Sequence, residues 1–240
     1  KAVEDSFTDK QQDSQYRKDG DVESALAEAE EVVSAEYKAP YLPHAPLEPM
    51  NATAWLRDGK LDIWAGTQIP TQAVKEAIKI TALAESNIKI HTTLMGGSFG
   101  RRLEMDYIIQ AIKVAVEMPG IPVKLTWTRE EDMTHDNYRP IGMARFKAVV
   151  GDKGPIAIDL QLACGSVNTS QMGRIDMLMP GPDISIVQAG WDQPYAVENF
   201  RVTGYRTKND FPISSWRSVG ASQNGFFHES MMDEIAHSKC

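Results

Sequence analysis

The 240-residue chain is poor in cysteine, with only Cys164 and Cys240. No Cys-x-x-Cys pair exists, which excludes an iron–sulfur cluster or a structural zinc held by this chain alone, and equally a disulfide framework. A basic excess is missing as well. The formal charge is −8 and the isoelectric point about 5.2, so the footprint of a general nucleic-acid binder is absent. No run approaches the roughly 18 apolar residues of a membrane-spanning helix. The longest mixed run, Ile108 to Met118, is broken by Gln110, Lys113 and Glu117. Initiator Met and signal-peptide pattern are both missing at Lys1, which predicts a processed chain or a segment of something longer.

What is present is the composition of a folded protein, 42% hydrophobic and 24% charged. The charge is uneven: residues 1–36 carry eleven acids against four bases, so nearly all of the net charge lies there. Residues 1–20 have few apolar anchors (Val3, Phe7, Tyr16) and read as a loose arm. The expected organisation is an acidic arm and the end of a preceding domain over 1–36, then one domain over 37–240. The pattern predicts a helix over Val22–Glu30 and a strand over Val32–Lys38. Pro40, Pro43, Pro46 and Pro49 enforce an extended path. Strands Ala52–Arg57 and Leu61–Ala65 flank Asp58-Gly59, a hairpin signal. Helical spacing covers Thr71–Ala84, and alternation marks Asn87–Thr93 as a strand. The turn Gly96-Gly97-Ser98-Phe99-Gly100 leads toward an apolar helical stripe of Met105, Ile108, Ile109, Ile112, Ala115 and Val116, which Pro119-Gly120 ends. Strands follow over Val123–Thr128, Met143–Val150, Ile156–Ala163 and Phe200–Thr207, with a last helix from about Ser222. The fold class expected is α+β with mixed sheets.

Several glycines between a strand and a helix bring backbone N–H groups to a point where oxyanions bind. The turn lacks Gly-Lys-Ser/Thr, so it is no P-loop, and its glycines do not fit the dinucleotide pattern. It does satisfy Gly-x-Ser-x-Gly, which makes Ser98 a candidate nucleophile. His135, His228 or His237 would then serve as base, oriented by Asp106, Asp132 or Asp192. The competing reading is a glycine turn whose serine bonds locally. Arg101 and Arg102 follow at once. Cations in a first helical turn oppose the helix dipole, so they call for an anion nearby or for pairing with Glu104 or Asp106. The histidines never take the four-residue spacing of a helical metal site. Asn51 and Asn168 open formal glycosylation sequons. Gly66-Thr67-Gln68 closes a strand ahead of a helix, where ligand contacts gather in α/β layers. Two further loops stand out: His44-Ala-Pro-Leu-Glu48-Pro, and Ser215-Trp-Arg217-Ser-Val-Gly.

Taken in order, these segments resemble the molybdenum-binding large subunit of the xanthine oxidase and aldehyde oxidase family. The branch they suggest is the isoquinoline 1-oxidoreductase beta-subunit and bacterial membrane-associated aldehyde dehydrogenase type. The matching stretches are His44-Ala-Pro-Leu-Glu-Pro-Met-Asn-Ala-Thr53, Gly66-Thr-Gln68, Met95-Gly-Gly-Ser-Phe-Gly-Arg-Arg102, Thr126-Trp-Thr-Arg-Glu-Glu-Asp-Met133, Arg139-Pro140 and Ser215-Trp-Arg-Ser-Val-Gly-Ala-Ser-Gln-Asn-Gly-Phe-Phe227. The resemblance runs from about residue 20 to the end. The resemblance implies that Gln68 hydrogen-bonds an oxygen on molybdenum, and that Gly96, Gly97, Ser98, Phe99, Gly100 and Arg101 form the loop approaching the metal and pterin. It also implies that Arg217 lies in the loop facing substrate and metal, with no side chain of this chain ligating the metal directly.

The chemistry implied is oxidation of an aldehyde or N-heteroaromatic substrate with a molybdenum–pterin dinucleotide, in the cytosine form for this branch. Electrons would leave through a small [2Fe–2S] subunit toward an acceptor such as a cytochrome c. The setting implied is the bacterial periplasm or membrane, with the cytoplasm left open. The departures are informative. Ser98 replaces the usual glycine, and Ser215-Trp216 the alanine-phenylalanine of xanthine oxidases. The position of the purine-handling glutamate falls on Leu103, which speaks against purines. The family's general-base glutamate belongs to a C-terminal half that this sequence lacks, and Cys240 ends it inside an expected helix. The chain is therefore expected to be inactive alone and to carry part of a site.

Overall fold

The computed structural model describes residues 1–239; Cys240 lies outside the described residues. In chain order the elements are β1 (Gln12–Asp19), α1 (Val22–Glu28), β2 (Val33–Ala39), β3 (Asn51–Arg57), β4 (Lys60–Ala65), α2 (Pro70–Thr81), β5 (Ile88–Thr92), α3 (Asp106–Glu117), β6 (Val123–Thr126), α4 (Arg129–Thr134), β7 (Gly142–Gly151), β8 (Gly154–Gly165), β9 (Asn199–Thr207) and α5 (Ala221–His237). They divide between two units. One holds residues 1–42, 138–213 and those from Arg217 on; the other holds 43–137 with Ser214–Trp216. The α+β reading with mixed sheets is correct.

The second unit grows from the β3–β4 hairpin. Asp58 and Gly59 both take positive φ, 49° and 71°, as a two-residue hairpin turn demands. β5 then pairs parallel to β4 and β6 antiparallel to β3, giving the sheet order β5-β4-β3-β6. Pro70 starts α2, the link between the parallel strands, and Ala82 ends it in a left-handed cap. One sheet face, with Ala52, Ala54, Leu61, Ile63 and Ala65, packs on Ala73 and Ala77 of α2 and on Ile108, Ala111, Ile112 and Ala115 of α3. Alanine on both sides lets helix and sheet backbones approach closely. The chain after β4 and the chain after β5 thus leave from the carboxyl ends of adjacent parallel strands, where α/β layers place ligands.

The first unit has a five-stranded sheet in the order β1-β9-β8-β7-β2, in which only β8 and β9 run parallel. Along α5, Phe227, Met231 and Ile235 recur at four-residue spacing and are buried in a core with Phe146, Leu160, Leu162, Phe200 and Val202. The expectation of a loose acidic arm is corrected here. Gln12–Asp19 is an edge strand paired antiparallel to β9, so this stretch belongs to the same sheet as β2. Its polar sequence hid it, because side chains tether it that the alternation rule ignores. The Arg17 guanidinium lies 4.6 Å from the Phe200 ring centroid, and Asp13 pairs with Arg206.

Candidate functional site

Gly66, Thr67 and Gln68 leave β4, while Leu94 and Met95 lead from β5 into the glycine turn. The Gln68 N–H donates to the Arg102 carbonyl at 3.0 Å, tying the two loops. Ser98 Oγ donates to Gln68 Oε1, and the Gly100 N–H donates to the same oxygen at 3.2 Å. A backbone N–H can only donate, so the amide atom facing it must be oxygen. The Gln68 NH₂ end therefore points the other way, and it has no acceptor among the described residues. Gly97, Phe99 and Gly100 take φ of 100°, 56° and 104°. Such left-handed turns suit a concave nest of N–H groups. A Cβ on Gly100 would stand 1.7 Å from the Ser215 carbonyl oxygen, so neither conformation nor space admits a side chain there. Phe99 is 45% exposed and Leu94 98%.

The turn does not run straight into a helix. A short 3-10 turn, Arg101–Leu103, intervenes, and α3 starts only at Asp106. Both arginines are fully buried. Arg101 donates to both oxygens of Asp106, at 3.0 and 2.8 Å, and its Nε lies 3.2 Å from Asp136 Oδ1. Burial works against the Arg101 charge, but Asp106, Asp136 and Asp132 outweigh it and hold the guanidinium above its ordinary pKa. Arg102 donates to the carbonyls of Gly97, Gly66 and Glu48 at 3.0, 3.2 and 3.2 Å, and to Glu48 Oε2 at 2.9 Å. Glu48 Oε2 also accepts from the Gly96 N–H at 2.7 Å. Burial pushes the Glu48 carboxyl up, yet the Gly96 N–H, the Asn51 amide and the Arg102 and Lys124 charges bring it below its ordinary value. The anions these cations call for are thus the protein's own carboxylates. Behind them the Tyr107 hydroxyl, pushed up to about 12 by burial, donates to the Gly66 carbonyl at 2.6 Å.

His44 is buried, with Nδ1 2.9 Å from Asp136 Oδ1 and Nε2 2.9 Å from the Ser215 carbonyl oxygen. The sequence marks His44 and Glu48 only as members of a rigid loop. Asp136, 92 residues away from His44, carries no local signal and goes unnoticed. The hydrolase reading is corrected: the Ser98 partners are Gln68 and the Arg102 N–H, not a histidine. His135 pairs with Glu131 and His228 with Glu229. Neither sequon asparagine has a free amide, since Asn51 Nδ2 donates to Glu48 and Pro49, and Asn168 Nδ2 to Met179. Arg217 is exposed in the first unit, in a turn where Ser218 and Val219 hold φ of 70° and 51°. Left-handed backbone in a β-branched residue stores strain of the kind that collects at functional loops.

A family model described as the molybdopterin cofactor-binding domain matches residues 6–239. The chain is 32% identical over 225 residues to a membrane-bound aldehyde dehydrogenase [pyrroloquinoline-quinone] of Gluconacetobacter polyoxogenes, covering 91% of this chain and 29% of the relative. It is 29% identical over 214 residues to isoquinoline 1-oxidoreductase subunit beta of Brevundimonas diminuta, covering 85% and 26%. Among solved structures, the aldehyde oxidoreductase of Desulfovibrio gigas superposes with a TM-score of 0.72 at 22% identity, over 92% of this chain and 24% of that one. The chain therefore spans less than a third of these proteins.

Proposed function

Because the chain belongs to the molybdopterin cofactor-binding domain family, we propose that it is the first cofactor-binding portion of a molybdenum hydroxylase large subunit, acting in the complete protein on an aldehyde or N-heteroaromatic substrate. The observation that carries this reading is the orientation of Gln68. Its oxygen is held by Ser98 and the Gly100 N–H, which leaves two amide N–H donors for an oxygen atom outside the protein. A molybdenum–pterin group, when bound, supplies the two-electron oxidation. Gln68 donates to an oxygen of that group. Gly96, Gly97, Ser98 and Gly100 let the backbone come close, and Phe99 supplies an apolar wall. Arg101 and Arg102 fasten the loop rather than meet the ligand, and the substrate-side role of Arg217 rests on the family resemblance alone.

No protein ligand to the metal is proposed. Among the described residues no group of three His, Cys, Asp or Glu is placed to hold a metal ion. The general base, the cytosine dinucleotide form, the [2Fe–2S] partner and a cytochrome c acceptor are further parts of the proposal. A bacterial periplasmic or membrane-associated setting belongs to the proposal too; the name of the membrane-bound aldehyde dehydrogenase relative supports the membrane association alone. No described helix is long and apolar enough to cross a membrane.

The test is Gln68→Ala in the complete protein, with molybdenum measured by elemental mass spectrometry beside substrate oxidation. The expected result is near-stoichiometric metal in the wild type. The variant should lose more than about tenfold in kcat/KM, roughly 1.4 kcal/mol of transition-state stabilisation. A native protein without molybdenum, or a variant oxidising substrate at the wild-type rate, overturns the proposal.

A further inference from the structure

We propose that His44, in its doubly protonated form, is a positioning residue that latches the Ser215 carbonyl against Gly100 and so holds the seat of Gln68. Nε2 faces the Ser215 carbonyl oxygen at 2.9 Å, and Nδ1 faces Asp136 Oδ1 and Oδ2 at 2.9 and 3.1 Å. A carbonyl and a carboxylate can only accept. A neutral imidazole has one N–H to give and would set a lone pair against one of the two. Moving the proton to Asp136 is opposed by Arg101, whose Nε lies 3.2 Å from Oδ1, and by the His44 backbone N–H, which donates to Oδ2. The cationic ring satisfies every partner. It is fully buried, with Asp136 only 2% exposed, so a mismatched pair there has no water to relieve it.

The charged groups around the latch are Asp136, Arg101, Asp106 at the start of α3, and Asp132 on α4. Arg129, bonded to Asp132 at 2.8 Å, also donates to the Pro46 and Leu47 carbonyls and anchors the loop that carries His44. The consequence follows from position. The Ser215 oxygen occupies the space a Gly100 side chain would fill, and the Gly100 N–H fixes the Gln68 amide. His44, Ser215, Gly100 and Gln68 form one line of contacts from four distant parts of the sequence. The latch stands apart from the proposed function; only its consequence for a cofactor rests on that reading.

Ring nitrogens of the full, folded chain, with histidine selectively labelled with ¹⁵N, report the protonation directly. At about pH 8, where an ordinary histidine is neutral, one of the five histidines should keep both ring N–H groups. His44→Gln should abolish that signal. Five neutral rings in the folded wild type overturn the proposal, whether or not the variant folds. Hydrogen exchange reads the latch: in His44→Gln the peptides over 96–103 and 214–216 should lose at least about tenfold in protection. Exchange identical to wild type in the folded variant also overturns it. Molybdenum content in the complete protein separates the two readings. Faster exchange with unchanged metal keeps the latch and counts against the cofactor seat.

Discussion

An arginine with no exposed surface must find an acceptor for its N–H groups, and Arg102 finds three carbonyls and one carboxylate. Lysine offers a single point charge on a flexible stem and cannot reach that planar spread. Arg102→Lys should therefore cost about 2–4 kcal/mol, because buried carbonyls and part of an ion pair are left unmet. Urea unfolding of wild type and variant measures it; a difference under about 0.5 kcal/mol would mean that the network contributes little. Gly100→Ala should be as severe, since the Ser215 carbonyl and a φ of 104° both exclude a methyl group. At this scale the sequence showed the need but not its solution. Two adjacent cations demanded an anion. Asp106 was close enough in sequence to be weighed, but Glu48, 54 residues from Arg102, and Asp136 were not. Partners assembled by the fold leave no spacing to read.

Periodic elements were legible because burial imposes their pattern. The stripe on α3 and the Asp58-Gly59 hairpin follow from one buried face and one turn geometry. β1 was not legible, since an edge strand held by backbone pairing and by charged side chains need not alternate. The same logic separates neighbours on α5. Phe227 is 1% exposed within the sheet core, while Phe226 is 55% exposed. Phe227→Ala should cost about 3–5 kcal/mol by opening a cavity, and Phe226→Ser less than about 1 kcal/mol. Thermal unfolding of the pair separates them, and equal losses would contradict the packing described. Ser218→Gly should shift the midpoint upward, because glycine carries the φ of 70° without strain.

For the molecule as a whole, stability against pH follows from which groups the fold forbids to take a proton. Burial holds the His228 ring below its ordinary value of 6.5, an effect that the neighbouring Glu229 only partly offsets. The unfolded chain then binds a proton that the folded chain refuses. Unfolding gains from acid, so stability is full above about pH 6.5 and declines as pH falls below it. The slope is at most about 1.4 kcal/mol per pH unit for one such group. Glu48, also lowered, adds a loss of the same sign, beginning only below its ordinary 4.5. Asp132, raised by burial, works in the opposite sense. A difference profile removes both. His228→Gln should flatten the wild-type decline between about pH 6.5 and 5 while leaving the steeper acid limb, where the carboxylates titrate, in place. If urea midpoints of the two proteins run parallel across that window, His228 is not the group that sets it, and its burial is relieved before it titrates.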